Sequence, residues 1–189
     1  MGAIAIGIGI ISYIPYLLTI LKGRTKPHAF SWLIWGILTA IAFAAQITGG
    51  GGVGAWVTGF TAATSLIIVA LALFKGEKNV TKSDWLTFVT ALLAIPLWYF
   101  TKNPLNAVIL ITIIDALAFY PTFRKSWHRP YEENAFTFTL SGIKFIFATL
   151  ALETLNITTS LYPLSLVFMN GVFVIMILWR RKALKNGTH

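Results

Sequence analysis

Ile14-Pro15-Tyr16, then Lys22, Arg24 and Lys26, then Ala29-Phe30-Ser31-Trp32-Leu33-Ile34-Trp35-Gly36-Ile37, forms one unit: an apolar helix with a proline near its end, a short basic loop, and a second apolar helix. The unit returns as Tyr120-Pro121-Thr122, then Arg124, Lys125 and Arg129, then Ala135-Phe136-Thr137-Phe138-Thr139-Leu140-Ser141-Gly142-Ile143. Pro121 follows Pro15 by 106 positions (121 − 15), and Ala135 follows Ala29 by the same 106 (135 − 29). Self-similarity at a fixed offset points to duplicated structural units, so two similar halves are expected.

Composition bounds the solvent those halves meet. Of 189 residues, 57% are hydrophobic and only 11% charged, and the mean hydropathy is +0.76. A soluble domain of this length carries more polar surface. Apolar runs of about 17–25 residues, each able to cross a hydrocarbon core of roughly 30 Å, recur along the chain. An all-α integral membrane protein is expected, multi-pass in the plasma (inner) membrane, with the lipid bilayer as its surroundings. The first residues lack a basic leader and read as part of the first span.

Seven spans are predicted, at about residues 3–21, 29–47, 53–74, 85–100, 105–123, 135–152 and 161–179. Ser83 is the predicted cap of the fourth, and Asn103-Pro104 the predicted cap and first turn of the fifth. The glycine run 49–52 reads as a flexible loop. Basic residues crowd the segments after spans 1, 3, 5 and 7, whereas those after 2, 4 and 6 carry only Lys102 and Glu153. The positive-inside rule then puts the N-terminus outside and the C-terminus in the cytoplasm. It also accounts for the formal charge of +9 without a nucleic-acid partner. Because span 4 adds one crossing, spans 1–3 and 5–7 run in the same sense. The expected layout is a first three-helix bundle (1–75), a linker helix with its flanks (76–103), and a second bundle with a basic tail (104–189). Parallel repeats around a central solute site are a known transporter plan.

Several side chains stand out against this apolar background. Pro15 and Pro121 each remove a backbone hydrogen bond and act either as hinges or as packing kinks. Asp115 and Lys144 are the two charges deep within predicted spans. They meet a polar or zwitterionic solute, or Asp115 takes up a proton, or the two neutralise each other as an ion pair. Their counterparts 106 positions earlier are Gly9 and Leu38, so the pathway should be asymmetric. Trp32 and Trp35 share a helix face, and Trp35, one turn deeper, is the better candidate to stack on a solute. Trp56, Trp85, Trp98, Trp127 and Trp179 near span ends fit interfacial anchoring. Asn170 lies mid-span 7, with Thr64 and Ser65 in the corresponding part of span 3. Tyr13, Tyr16 and Tyr120 lie near the prolines, as gates or as packing.

Cysteine is absent, and His28, His128 and His189 all fall outside the spans. No thiolate site, His-based metal motif, nucleophile elbow or phosphate-binding loop appears. No metal, cofactor or enzymatic activity is expected.

The proline near the inner end of the first helix of each triple, the basic loop after it and the 3+1+3 layout resemble the PQ-loop and SWEET (MtN3) transporter superfamily over nearly the whole chain. The family's Pro-Gln dipeptide is Pro15-Tyr16 and Pro121-Thr122 here. Trp32-x-x-Trp35 is similar in spacing to a motif of the related PnuC vitamin transporters, but lies on span 2. The resemblance implies a carrier for a small solute working by alternating access, facilitative by default, with Asn170 placed like an asparagine that contacts the solute in SWEET-like proteins. Relatives of this type often form trimers, while seven helices can hold a complete pathway alone, so the resemblance leaves both a homo-oligomer and a single chain open. The rival class is a non-transporting membrane receptor or assembly factor on the same scaffold.

Overall fold

The computed structural model describes residues 1–93, 96, 100, 103–185 and 187. Expectations placed on Trp98, Lys102, His189 and most of the second half of span 4 fall outside these residues. Among the described residues there are seven α-helices and no strand: α1 Gly2–Leu21, α2 Ala29–Thr48, α3 Gly52–Lys75, α4 Lys82–Leu92, α5 Pro104–His128, α6 Ala135–Leu150 and α7 Ile157–Lys185. A 3₁₀ turn, Pro130–Glu132, joins α5 to α6.

Five helices (α1, α2, α3, α5 and α7) are long and apolar enough to cross a membrane. Their outer faces leave Ile11, Leu18, Ile67, Phe74, Ile113, Phe168 and Ile175 largely exposed, a surface suited to hydrocarbon. Seven full-length spans were expected. The described part of α4 is 11 residues and α6 has only 16. Helix α6 stops early because the start of α3 abuts it there. A Cβ on Gly54 would come within 2.9 Å of the Ala151 and Leu152 backbone. In the other direction, α7 outruns its predicted limits at both ends. Arg180, Arg181 and Lys182 continue the helix as good helix formers instead of forming a loose tail.

Local chemistry explains the remaining boundaries. Asn103 accepts from the Leu105 amide at 2.9 Å, so the expected cap and first-turn proline open α5. Helix α4 starts before Ser83. Thr81 and Asp84 bind reciprocally, with Thr81 N donating to Asp84 Oδ2 at 2.7 Å and Asp84 N to Thr81 Oγ1 at 3.4 Å. This is a capping box, and it displaces Ser83 from that role. Asn156 and Thr159 exchange equivalent bonds at 3.1 and 3.0 Å ahead of α7. The glycine run is a tight turn: α2 ends at Thr48, Gly50 takes a φ of 78°, and Gly51 N closes onto Gln46 O at 2.7 Å. A left-handed residue is nearly free of strain only as glycine.

Helix α3 packs against both α1 and α2, and α7 against both α5 and α6. Between these groups α1 meets α6 and α2 meets α5, with α4 resting mainly on α5. Hydrogen bonds tie both crossings. Ser12 and Thr137 donate to each other's backbone carbonyls at 3.0 and 3.2 Å, and Thr122 donates to Ser31 Oγ at 3.0 Å.

The loops after α1, α3 and α5 meet at one basic end. Four of the chain's six acidic residues (Glu77, Asp84, Glu132 and Glu133) sit there, each facing cations. Lys26 pairs with Glu132 at 2.8 Å, Arg129 with Glu77 at 3.1 Å and Arg124 with the fully buried Asp84 at 2.7 Å. Lys125 pairs with the buried Glu133. It also donates to Lys26 O at 2.6 Å, stapling the first loop to α5.

Candidate functional site

Where α1, α2, α3, α5, α6 and α7 converge, they enclose a cavity lined mostly by aromatic rings and hydroxyls. The cavity volume is about 40 Å³. One water needs roughly 10–15 Å³ on that measure, so the cavity is narrow in this conformation.

Its walls come in matched pairs. Tyr13 and Phe119, Trp32 and Phe138, Trp35 and Ser141, and Thr39 and Phe145 all line it, and each pair is 106 positions apart. Thr61 with Leu166 and Ser65 with Asn170 also line it, 105 positions apart. The rings pack edge-on or tilted, with Trp35 and Phe119 centroids 4.6 Å apart and Phe138 and Phe173 4.4 Å apart. Such geometries suit aromatic quadrupoles.

Asp115 enters this lining from α5 with no counterpart opposite, its mate being Gly9. It is fully buried. Its Oδ1 accepts the Tyr162 hydroxyl at 3.1 Å, and its Oδ2 has no partner. The indole Nε1 of Trp35 is a buried donor that is also unpartnered. Buried polar groups are nearly always paired, because leaving one bare costs about 1–3 kcal/mol, and more for a charge. Asp115 and Trp35 thus bring two unpartnered groups of opposite hydrogen-bonding sense to the wall of one cavity.

Lys144 is placed differently. It is fully buried on α6 but stands one side chain behind the cavity, where its Nζ donates to Thr61 Oγ1 at 2.8 Å and Tyr13 Oη at 3.2 Å. The ammonium also lies 4.4 Å from the Phe145 ring centroid and 4.8 Å from that of Tyr13, distances at which ring quadrupoles attract cations. Asp115 and Lys144 therefore form no ion pair in this structure; the hydrogen bonds each makes go to other helices, and Lys144 is not among the residues that line the cavity. The stem of Lys144 fills the space beside Gly9, whose Cβ would sit 3.3 Å from Lys144 Cδ.

The other expected residues divide by where their polar atoms point. Ser65 lines the cavity, but its hydroxyl donates back to Thr61 O at 2.8 Å. Asn170 lines it with Nδ2 on Leu166 O at 2.7 Å. Trp32 faces inward and donates to Tyr16 Oη at 3.2 Å. Trp56, Trp85, Trp127 and Trp179 are exposed, as anchoring requires. Tyr16 is buried, whereas Tyr120 is half exposed on the outer face and takes no part in the site. Pro15 and Pro121 lie inside α1 and α5, which continue beyond them, and Pro163 lies inside α7.

Sequence reasoning passed over Tyr162, Thr61 and the second-half rings Phe119 and Phe138. Applying the 106-position offset to Tyr13 and Trp32 would have found the two phenylalanines. No sequence signal marks Tyr162 as the partner of Asp115. Compared with known proteins, the chain matches no family model, no curated protein and no solved structure.

Proposed function

We propose that the chain is a membrane carrier for a small polar or zwitterionic solute, working by alternating access between two three-helix repeats, residues 1–75 and 104–189. Residues 76–103 would link them. The observation that carries this reading is the cavity between the two triples, lined by Asp115 and Trp35, each of which has a buried polar atom without a partner. Carriers of this plan keep their solute site between repeats. The matched lining pairs and the reciprocal α1–α6 and α2–α5 crossings support a two-fold relation between the triples.

On this reading Pro15 and Pro121 are hinges. Each lacks an amide, so the Ile11 and Leu117 carbonyls have no donor one turn on, and bending there is cheap. The basic end is cytoplasmic by the positive-inside rule, with the N-terminus outside. The likeness of the proline-containing first helices and the 3+1+3 order to PQ-loop and SWEET-like transporters points the same way. Transport is facilitative.

A non-transporting receptor or assembly factor on the same scaffold is the second reading. It is favoured by the ion pairs that stitch the basic end shut. Uptake into proteoliposomes separates the two. The carrier moves a small polar solute, and Asp115→Asn abolishes uptake while the protein stays folded. A folded protein that binds solute without moving it is the receptor.

A further inference from the structure

Asp115 and Lys144 are buried charges of opposite sign that do not touch, and the offset between the halves relates their surroundings. Lys144 on α6 sits against Gly9 of α1, and Gly9 is the residue 106 positions before Asp115. Leu38, the mate of Lys144, is fully buried on α2, the helix that packs on α5, the helix of Asp115. The negative charge thus belongs to the α2–α5 side of the cavity and the positive charge to the α1–α6 side. Each charge has a small or apolar residue as its mate on the opposite side.

The two poles offer different chemistry. At one, Asp115 Oδ2 is a buried acceptor with no partner. At the other, the Tyr13 oxygen accepts from Lys144 Nζ, with the hydroxyls of Thr61 and Ser141 beside it. Thr61 has spent its hydrogen on Val57 O at 2.8 Å. Tyr13 is the hydroxyl that stands between Lys144 and the cavity it lines. Hydrogen bonds assisted by charge are about twice as strong as neutral ones.

We infer that this cavity is a two-pole site for a small zwitterion, its cationic end held on Asp115 and its anionic end on the Tyr13 hydroxyl with Lys144 behind it, which rests on the cavity being the solute site of the proposed carrier. Charge balance selects the class. Asp115 and Lys144 together are neutral, so a bare cation or a bare anion would leave a net charge among aromatic walls, where an uncompensated charge is costly. A zwitterion leaves none. Ser65, Thr39 and Thr61 have turned their hydroxyl hydrogens onto their own backbone, which leaves fewer donors in the walls for the several oxygens of a polyol. Trp35 and Phe119 line the same cavity as Asp115, and aromatic rings attract an ammonium group.

Calorimetric titration of the purified full chain with charge-deleted analogues tests this. The probes are glycine betaine against choline and 3,3-dimethylbutanoate, glycine against ethanolamine and acetate, and glucose as the neutral polyol. At least one zwitterion should bind ten-fold or more tighter than both of its analogues and than glucose. Tyr13→Phe, a mild change, should weaken that zwitterion and its anionic analogue about ten-fold and leave the cationic analogue unchanged. Asp115→Asn should weaken the zwitterion and the cationic analogue instead. Glucose or a lone cation binding as tightly as the zwitterions overturns the inference, as does a Tyr13→Phe protein that loses all probes equally or a protein that binds none. Uptake in proteoliposomes is read separately. A zwitterion bound but not moved supports the two-pole site and overturns the carrier, and glucose moved without zwitterion preference does the reverse.

Discussion

Glu133, ahead of α6, accepts the Tyr16 hydroxyl of α1 at 3.1 Å while its other oxygen is held by Lys125 of α5. Tyr16 in turn accepts from the Trp32 indole, which lines the cavity. A continuous polar chain thus runs from the cavity to the ion pairs of the basic end. On the proposed carrier reading, opening that end requires Glu133 to release Tyr16, Lys125 or both.

Glu133→Gln should be strongly destabilising. Glu133 and Lys125 are both buried, and removing one member of a buried pair costs about 3–5 kcal/mol because the other is left uncompensated. For a chain of this size that corresponds to a fall in Tm on the order of 10 °C, measured by thermal unfolding in detergent. Replacing both partners, Glu133→Gln with Lys125→Met, should recover more than half of it. A double variant no more stable than the single one would show that the pair is not the cause.

Acid should also loosen this end through His28. Burial holds its pKa below the usual histidine value of about 6.5, with Asp84 opposing and Lys125 and Arg124 reinforcing the shift. The unfolded chain therefore binds this proton at a higher pH than the folded one. The stability it contributes is full above about pH 6.5 and is lost as pH falls through that value toward the lower folded pKa. His28→Asn should flatten the fall in Tm between pH 7 and pH 5. An unchanged slope would exclude His28 as its source.

Asn170→Ala and Ser65→Ala should separate although both residues line the cavity. The Ser65 hydroxyl is committed to its own helix, so its loss should change uptake less than two-fold. Asn170 brings a whole amide to the wall, and its loss should lower uptake about ten-fold with Tm little altered. Equal effects would remove the distinction.

Two glycines give a control on packing. Gly54→Ala would push a Cβ to 2.9 Å from the Ala151 and Leu152 backbone, where no side chain can yield, and should cost about 1–3 kcal/mol. Gly7→Ala meets nothing within 4 Å and should be neutral or stabilising by up to about 1 kcal/mol from helix propensity alone. Thermal unfolding of the two variants reads the contrast directly.

The helices were legible from hydropathy because span positions depend on local runs. The α2 start at Ala29 was foreseen to the residue, and Asp115, Trp35, Ser65 and Asn170 were picked out as polar or aromatic breaks in apolar surroundings. Partners were not legible. Lys144 was expected to meet Asp115 or the solute, yet it found Tyr13 and Thr61, 131 and 83 positions away. Spacing along one helix says which face a residue takes but not which neighbouring helix meets that face. The same gap hid the basic end. Glu77, Asp84, Glu132 and Glu133 read as loop charges until α4, α5 and the first loop brought arginine, lysine and histidine onto them.

Helix α6, at 16 residues and 1.5 Å per residue, spans about 24 Å, several ångströms less than a typical hydrocarbon core. Phe136, Ile143, Ile146 and Leu150 are exposed along it, so a bilayer surrounding this flank would have to thin to meet it. Bilayers made from shorter-chain phospholipids relieve that mismatch and longer ones deepen it. In living cells, local membrane thickness would then set where this protein settles and how readily copies gather along that flank.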